Sequence, residues 1–179
     1  MIGVKEMILD KSYFQKPATL LAPDLLGKIL CRRTENGIIR SEITETECYF
    51  GEDDTACHAH KGKTERTATM YEAGGITYVY LCYGMHAMLN IVTGPENHPE
   101  AVLIRGINDA KGPGRTTKFL TITTKDNALP LTEDSCIWIE DEGRTAPEYI
   151  ALPRVGIDYA SDVDRNRPWR YVIKLKQRE

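Results

Sequence analysis

Two hairpin signals constrain the fold of this chain more than any other feature of its sequence. Asn36-Gly37 is a dipeptide typical of tight β-turns, and strand-like stretches lie on both sides of it, over 28–33 and 38–49. Further along, Gly84 permits a tight turn between the β-branched and aromatic stretch 76–83 and the stretch 86–93. Because hairpins join antiparallel strands, the sheet is predicted to be mainly antiparallel.

The other elements predict an α+β fold. Further strands are expected over 101–107, 137–139, 152–157 and 169–175, short helices over 19–26 and 112–121, and a structured loop over 51–72. No internal repeat, low-complexity tract or long linker divides the sequence. We therefore expect a single domain over residues 1–179, with helices flanking a curved, partly open, barrel-like sheet.

Composition favours a protein of the cytoplasm. No run of about 18 apolar residues is present, so no membrane-spanning segment is expected. The first residues lack the apolar stretch and the small-residue cleavage site of a secretory signal. The five cysteines include no Cys-x-x-Cys pair, which favours reduced thiols over a disulfide framework.

The charge of the chain leaves a nucleic-acid partner open. A net charge of −3 argues mildly against such a partner, which usually meets a basic surface. However, the charges are unevenly distributed: residues 42–54 carry acidic groups and no Lys or Arg, whereas residues 165–179 are strongly basic. A basic face on an acidic protein is compatible with this pattern.

Two strands carry residues that are suited to chemistry. With a period of two, Glu45, Glu47 and Tyr49 project from one face of their strand, although a solvated edge strand would also explain the carboxylates. Tyr78 and Tyr80 share a face of the later strand, and Tyr83 lies on the other face beside the turn. A tyrosine at a hairpin tip is a suitable wedge for a nucleic-acid stack.

At these residues the chain resembles the alkyladenine (3-methyladenine) DNA glycosylase family. The matching motifs are DLLGK (24–28), TETECY (44–49), His58, YVYLCYGMH (78–86), Asn90, VLIR (102–105), GPGR (112–115), RVGI (154–157) and PWRY (168–171). They occur in the family's order over almost the whole chain. The resemblance implies an enzyme that flips a damaged purine out of duplex DNA and hydrolyses its N-glycosidic bond.

The resemblance also implies roles for individual residues in the chemistry. Glu47 matches the glutamate that activates the attacking water, and Arg105 matches the arginine that helps to hold the site. Three residues match those that surround the flipped base, namely Tyr49, His58 and Tyr80. Asn90 matches a position on the pocket floor that helps to exclude normal guanine.

Other matched residues are expected to contact DNA. Tyr83 corresponds to the tyrosine that fills the gap left by the flipped base, so the hairpin that carries it is expected to protrude and to insert into DNA. The candidates for contacts with the DNA backbone are Arg66, Met85, Arg115 and Lys118. No lysine of the matched motifs is placed to form a Schiff base, so no strand cleavage is expected. The resemblance implies a monomer that needs no cofactor or metal and binds double-stranded DNA containing damaged purines.

The chemistry of the residues agrees with these roles. Cleavage of an N-glycosidic bond passes through a positively charged, oxocarbenium-like sugar, which a nearby carboxylate stabilises while it takes a proton from water. Aromatic faces favour a cationic, alkylated base. The lesions left open are 3-methyladenine, 7-methylguanine, hypoxanthine and etheno adducts, and no general acid for the neutral ones is assigned.

Two alternatives come from other classes of function. His58 and His60 would lie on one face if this stretch were a strand, and with nearby cysteines they suggest a metal-dependent hydrolase. The second alternative is a nucleic-acid-binding module that has lost turnover. A plain structural β-domain would leave the clustered Glu47, Tyr49 and Arg105 unexplained.

Overall fold

The computed structural model describes residues 7–174 and has an α+β fold built on a ten-stranded antiparallel sheet. The strands are β1 (Met7–Ile8), β2 (Ile29–Thr34), β3 (Gly37–Phe50), β4 (Thr77–Cys82), β5 (His86–Thr93), β6 (Glu100–Ile107), β7 (Ala110–Lys111), β8 (Ile137–Asp141), β9 (Tyr149–Leu152) and β10 (Arg170–Ile173). The α-helices are α1 (Ala18–Asp24), α2 (Pro113–Phe119) and α3 (Asp162–Asn166). The predicted fold class is confirmed, and the sheet is open rather than a closed barrel.

The long strand β3 connects the two parts of the sheet. Its first half pairs with β2, in the order β1-β8-β2-β3, and its second half continues through β6 and β5 to β4. Strand β10 pairs with β3 on its other edge and carries β9. The predicted hairpin between β2 and β3 is confirmed, with Glu35 and Asn36 in the turn and Gly37 following at a φ of +118°.

The pairing of β3 with β6 is irregular where the two strands approach the functional residues. Between the pairs Ile43–Ile107 and Glu45–Gly106 the register shifts on β3, and before the pair Thr46–Ile104 it shifts on β6, at Arg105. Such bulges re-aim side chains. A Cβ on Gly106 would lie 3.2 Å from Cβ of Glu45, so glycine permits the close approach of the two strands.

The main core lies between the sheet and the helices α1 and α2. Leu21 of α1 and Leu25, which follows its last residue, pack with Ile43, Ile104 and Leu120, all fully buried. A second, smaller cluster lies where the loop over 51–72 packs on β4, β5 and β6; it contains Cys57, Ala59, Met70, Tyr71, Tyr78, Val92 and Ala101. This loop has only short 3-10 turns, as predicted, and it forms one wall of the cavity described below.

Several elements differ from the sequence prediction, and the short strands β1 and β7 are among those that were not expected. The prediction of a strand over 152–157 is wrong, because β9 ends at Leu152. An irregular segment begins at Pro153, which has no N–H to donate to a neighbouring strand. Helix α3 was not predicted; Ser161 caps it by accepting the Asp164 N–H at 3.2 Å. The strand expected over 169–175 is β10, although residue 175 lies outside the described range. None of the helices within 7–174 has the length and apolar character needed to cross a membrane.

Candidate active site

A cavity of about 590 Å³ opens beside the β4–β5 turn. Six of the residues singled out in the sequence lie around it, namely Glu47, Tyr49, His58, Tyr80, Asn90 and Arg105. Arg66 and Tyr83 also line it. The volume falls in the range that suits small ligands, so the cavity can hold a single flat heterocycle.

Glu47 is the fully buried carboxylate of this cavity. Its side chain has no exposed surface, yet it lies on the face of β3 that the alternating pattern predicted. Oε1 accepts the Val155 backbone N–H at 2.9 Å, and Oε2 accepts the Tyr49 hydroxyl at 2.9 Å. Burial raises the pKa of Glu47, and this effect outweighs the opposing effects of Arg105 and of the two hydrogen bonds.

Arg105 joins Glu47 to a neighbouring carboxylate. Its Nη1 lies 3.6 Å from Oε1 of Glu47, and its Nε donates to Oε1 of Glu45 at 3.1 Å. Arg170 on β10 donates to the same oxygen of Glu45 at 3.0 Å. The bulge at Arg105 brings this side chain onto the cavity face. There the contact with Glu45 orients the guanidinium, and its positive charge lies beside the carboxylate of Glu47.

Aromatic rings form the wall beside Glu47. The rings of His58 and Tyr80 have centroids 4.6 Å apart, and those of Tyr78 and Tyr80 are 5.4 Å apart. Nδ1 of His58 lies 3.2 Å from the Tyr78 hydroxyl. Burial, and to a smaller extent the charge of Arg66, lower the pKa of His58 to about 4, so the imidazole is neutral near pH 7.

Asn90 is buried between β4 and the cavity. Its Nδ2 donates to the Tyr78 carbonyl at 3.2 Å, which fixes the plane of the amide. Asn90 lines the cavity and is only 4% exposed.

Tyr83 is the most exposed aromatic residue at the rim of the cavity. It is 89% exposed and adopts a φ of +51°, a left-handed conformation that is strained for a tyrosine. This turn conformation ends the strand alternation and places the ring beside the opening rather than on the opposite face of the sheet.

The four candidates for backbone contacts are placed differently. The Arg66 guanidinium lies 5.4 Å from the centroid of the Tyr80 ring, at the cavity. Met85 and Lys118 border a smaller recess of about 270 Å³ on the β4–β5 turn, and Met85 is 73% exposed. Arg115 is exposed on α2 and lines neither space. The structure therefore brings Arg66 to the cavity and leaves the other three outside it.

The arrangement expected for a histidine-based metal site is wrong. His58 and His60 belong to the 3-10 turn His58–Lys61 rather than to a strand. The His58 ring faces Tyr80, whereas Nδ1 of His60 lies 2.7 Å from the Glu52 carbonyl on the surface. The two rings therefore do not converge. Within 7–174, no group of three or more His, Cys, Asp or Glu side chains is arranged to hold a metal ion.

Sequence reasoning missed three contributors to the site. Val155 donates its backbone N–H to the carboxylate of Glu47, and its neighbour Arg154 is buried. Tyr159 lies at the rim of the cavity, and its hydroxyl donates a hydrogen bond to the Ala56 carbonyl at 2.8 Å. The motif RVGI at 154–157 was the available signal, but it suggested no role because a backbone amide is not visible in a residue pattern.

The chain is similar to proteins of one known family. The family model of methylpurine-DNA glycosylase (MPG) matches residues 12–109 and 108–177. A protein of Psychrobacter cryohalolentis is 42% identical over 189 residues, covering 89% of each chain. One of Borreliella burgdorferi is 38% identical over 178 residues (93% of this chain, 96% of that protein), and one of Sodalis glossinidius is 43% identical over 173 residues (92% and 95%). All three bear the name "Putative 3-methyladenine DNA glycosylase".

These matches extend over nearly the whole chain and define its class, a DNA glycosylase that hydrolyses N-glycosidic bonds. The chain belongs to the methylpurine-DNA glycosylase family. The family resemblance inferred from the motifs is therefore confirmed.

Proposed function

We propose that this enzyme is a monofunctional glycosylase of base excision repair, which flips alkylated purines of the 3-methyladenine type out of duplex DNA. The observation that carries the proposal is the burial of Glu47 inside an aromatic cavity with an exposed tyrosine at its rim. The name carried by the relatives supports 3-methyladenine as a substrate. We infer that the enzyme works as a monomer, on chromosomal DNA in the cytoplasm.

Extrusion of the damaged nucleotide comes first. A base within the duplex cannot reach a buried carboxylate, and unstacking it costs a few kcal/mol. Tyr83 enters the vacated stack and offsets part of this cost, since its ring is free of protein contacts over most of its surface. Arg66, Arg115 and Lys118 neutralise phosphates around the extruded nucleotide, and the uncharged side chain of Met85 contacts the DNA backbone beside them.

The cavity then selects for positive charge. The electron-rich faces of Tyr49 and Tyr80 attract a cationic purine by about 0.5–2 kcal/mol each. Because His58 is neutral, it adds no repulsion against such a base. Asn90 on the floor excludes normal guanine.

Hydrolysis needs a base for water and stabilisation of the sugar. Glu47 accepts a proton from a water molecule while the water oxygen bonds to C1′ of the deoxyribose. The C1′–N bond breaks, its electron pair goes to the cationic purine, and the purine leaves uncharged. The ionised form of Glu47 also stabilises the positive charge that develops on the sugar, and Arg105 holds this carboxylate in place.

The products follow from the lining of the cavity. In the described part of the chain, the cavity lining contains no lysine that could form a Schiff base with the sugar. Hydrolysis therefore leaves an abasic site and two intact strands.

The proposal is tested by base release from duplexes that each carry one lesion: 3-methyladenine, 7-methylguanine, hypoxanthine or ethenoadenine. We expect release of the cationic bases, with unbroken strands until alkali is added. Binding of lesion DNA without release of any base would instead support a nucleic-acid-binding module. Sedimentation of the purified chain tests whether the enzyme is a monomer in solution.

A further inference from the structure

Arg154 lies behind the wall of the cavity and is paired with Asp54. Its Nη1 donates to Oδ2 of Asp54 at 2.6 Å, and its Nη2 donates to Oδ1 at 2.8 Å. The two side chains are 0% and 1% exposed. Such a two-pronged contact fixes the plane of the guanidinium as well as its position.

The pair connects β3 with the segments on either side of the cavity. Nη1 of Arg154 also donates to the carbonyl of Cys48, which lies on β3. The carboxylate of Asp54 accepts the backbone N–H groups of Phe50 at 3.1 Å and Ala56 at 3.0 Å. One buried ion pair therefore holds the end of β3, the loop that follows it and the segment after β9.

Both hydrogen bonds described for Glu47 come from groups that Arg154 holds. The Arg154 guanidinium lies 4.9 Å from the centroid of the Tyr49 ring and 5.1 Å from that of Trp169. The Tyr49 hydroxyl donates to one carboxylate oxygen, and the amide of Val155, the next residue after Arg154, donates to the other. A small displacement of Arg154 would move both donors.

We propose that the Asp54–Arg154 pair positions the catalytic carboxylate, by fixing the Val155 amide and the Tyr49 hydroxyl against the two oxygens of Glu47. Arg154 does not line the cavity and acts through these two groups, so it is a positioning residue and not a catalytic one. The inference rests on the proposed function, in which Glu47 activates water.

Two conservative substitutions test the pair. In R154K a single ammonium group replaces the planar fork, and in D54N the charge is removed while the size is kept. For single-turnover release of 7-methylguanine with saturating enzyme, we expect the maximal rate to fall on the order of 100-fold in each variant, because a displacement of about 1 Å has that effect. The half-saturating enzyme concentration should change far less than the rate, since Tyr83 and the candidate phosphate contacts, on which binding of the duplex depends, are not among the groups that the pair holds.

The matched control is R32K. Arg32 forms another largely buried pair, with Asp126 at 2.9 Å, and neither residue lines the cavity. This variant should lose melting temperature as R154K does but keep the parent's maximal rate. A loss of rate in R32K in proportion to its loss of melting temperature would overturn the proposal.

The pH profile gives a second readout. R154K keeps a positive charge, so loosening of the two donors should raise the pKa of Glu47 and move the acid limb of the rate to higher pH. The proposal is overturned if D54N and R154K retain the parent's maximal rate, if R154K loses rate with an unchanged acid limb, or if neither variant folds. Absence of base release by the parent chain would instead refute the proposed function.

Discussion

The backbone N–H of Val155 lies 2.9 Å from Oε1 of Glu47, although 108 residues separate the two positions. A short irregular segment after β9 thus completes the surroundings of a carboxylate that lies in the middle of the sheet. This contact lowers the pKa of the glutamate, but burial raises it by more. The folded chain therefore holds Glu47 in an environment that favours proton uptake, as a base for water requires.

Replacement of Glu47 by glutamine should separate binding from chemistry. Glutamine keeps the shape but cannot take a proton, so base release should fall by about 100- to 10,000-fold. Affinity for lesion-containing duplex should be retained. The measurement is single-turnover release beside a binding titration, with Glu100→Gln, a half-buried carboxylate outside the cavity, as control. Normal turnover of Glu47→Gln would remove Glu47 from the role of water-activating group.

The same substitution should stabilise the fold. The net effect of the site on Glu47 is to disfavour its charge, and an amide has no charge to desolvate. We expect a gain of about 1 kcal/mol in the free energy of unfolding, of the size typical when an active-site group is replaced. Urea unfolding of the two proteins at pH 7 measures the difference. A less stable variant would show that the contacts of the carboxylate outweigh its burial.

Tyr83 should strengthen the binding of DNA while lowering the stability of the free protein. Loss of the ring in Tyr83→Asn should weaken binding to lesion duplex about 10-fold, which equals ~1.4 kcal/mol of stacking. Asparagine tolerates the left-handed conformation, so the variant should also unfold at a higher temperature by an amount equal to about 1 kcal/mol. Tyr149→Ala, on β9 away from the cavity, is the control. Unchanged affinity would remove Tyr83 from the wedge role.

Contacts with phosphates predict a dependence on salt. Affinity for lesion duplex should fall as salt rises, because each neutralised phosphate releases counterions and contributes about 0.9 to the slope of log affinity against log salt. Lys118→Ala and Arg115→Ala should each lower the slope by about that amount, with little effect on the rate of base release at saturation. Equal slopes in variants and parent would place the phosphates elsewhere on the surface.

Neutral His58 predicts a loss of stability in mild acid. The pKa of His58 is about 4 in the folded chain against an ordinary value of 6.5, so the unfolded chain binds the proton more readily. This contribution to stability is complete above pH 6.5 and is lost as the pH falls towards 4. The free energy of unfolding at pH 7 minus that at pH 4.5 should be smaller in His58→Gln than in the parent chain. An NMR titration of the His58 ring with a midpoint above 6 would contradict this prediction.

Local patterns in the sequence were sufficient to predict which residues share a face of each strand. Together with the family motifs, they identified most of the residues that line the cavity. A period of two placed Glu45, Glu47 and Tyr49 together, since a strand presents alternate residues to one side. Family motifs supplied His58 and Arg105, from distant parts of the chain. All of these residues meet in the folded protein.

Features that depend on long-range pairing were not predictable in the same way. The bulge at Arg105 depends on the register between β3 and β6, although Gly106 was a signal for it, because a glycine inside a strand often marks a close approach. The segment 153–157 looked like a strand from its residues, yet its role depends on an amide that every residue except proline possesses. The exposure of Met85 and Arg115 was likewise set by tertiary packing.

Strand β3 has a final consequence for how the enzyme responds to heat. Its first half is paired with β2, and its second half is flanked by β6 and β10, so Glu47 lies on a strand that is hydrogen-bonded on both edges. Amide hydrogens in such a place exchange with solvent only when the whole molecule opens. Loss of the chemistry of base removal should thus require either global unfolding or release of the segment at Val155, and fraying of the short outer strand β1 at lower temperatures should leave it intact.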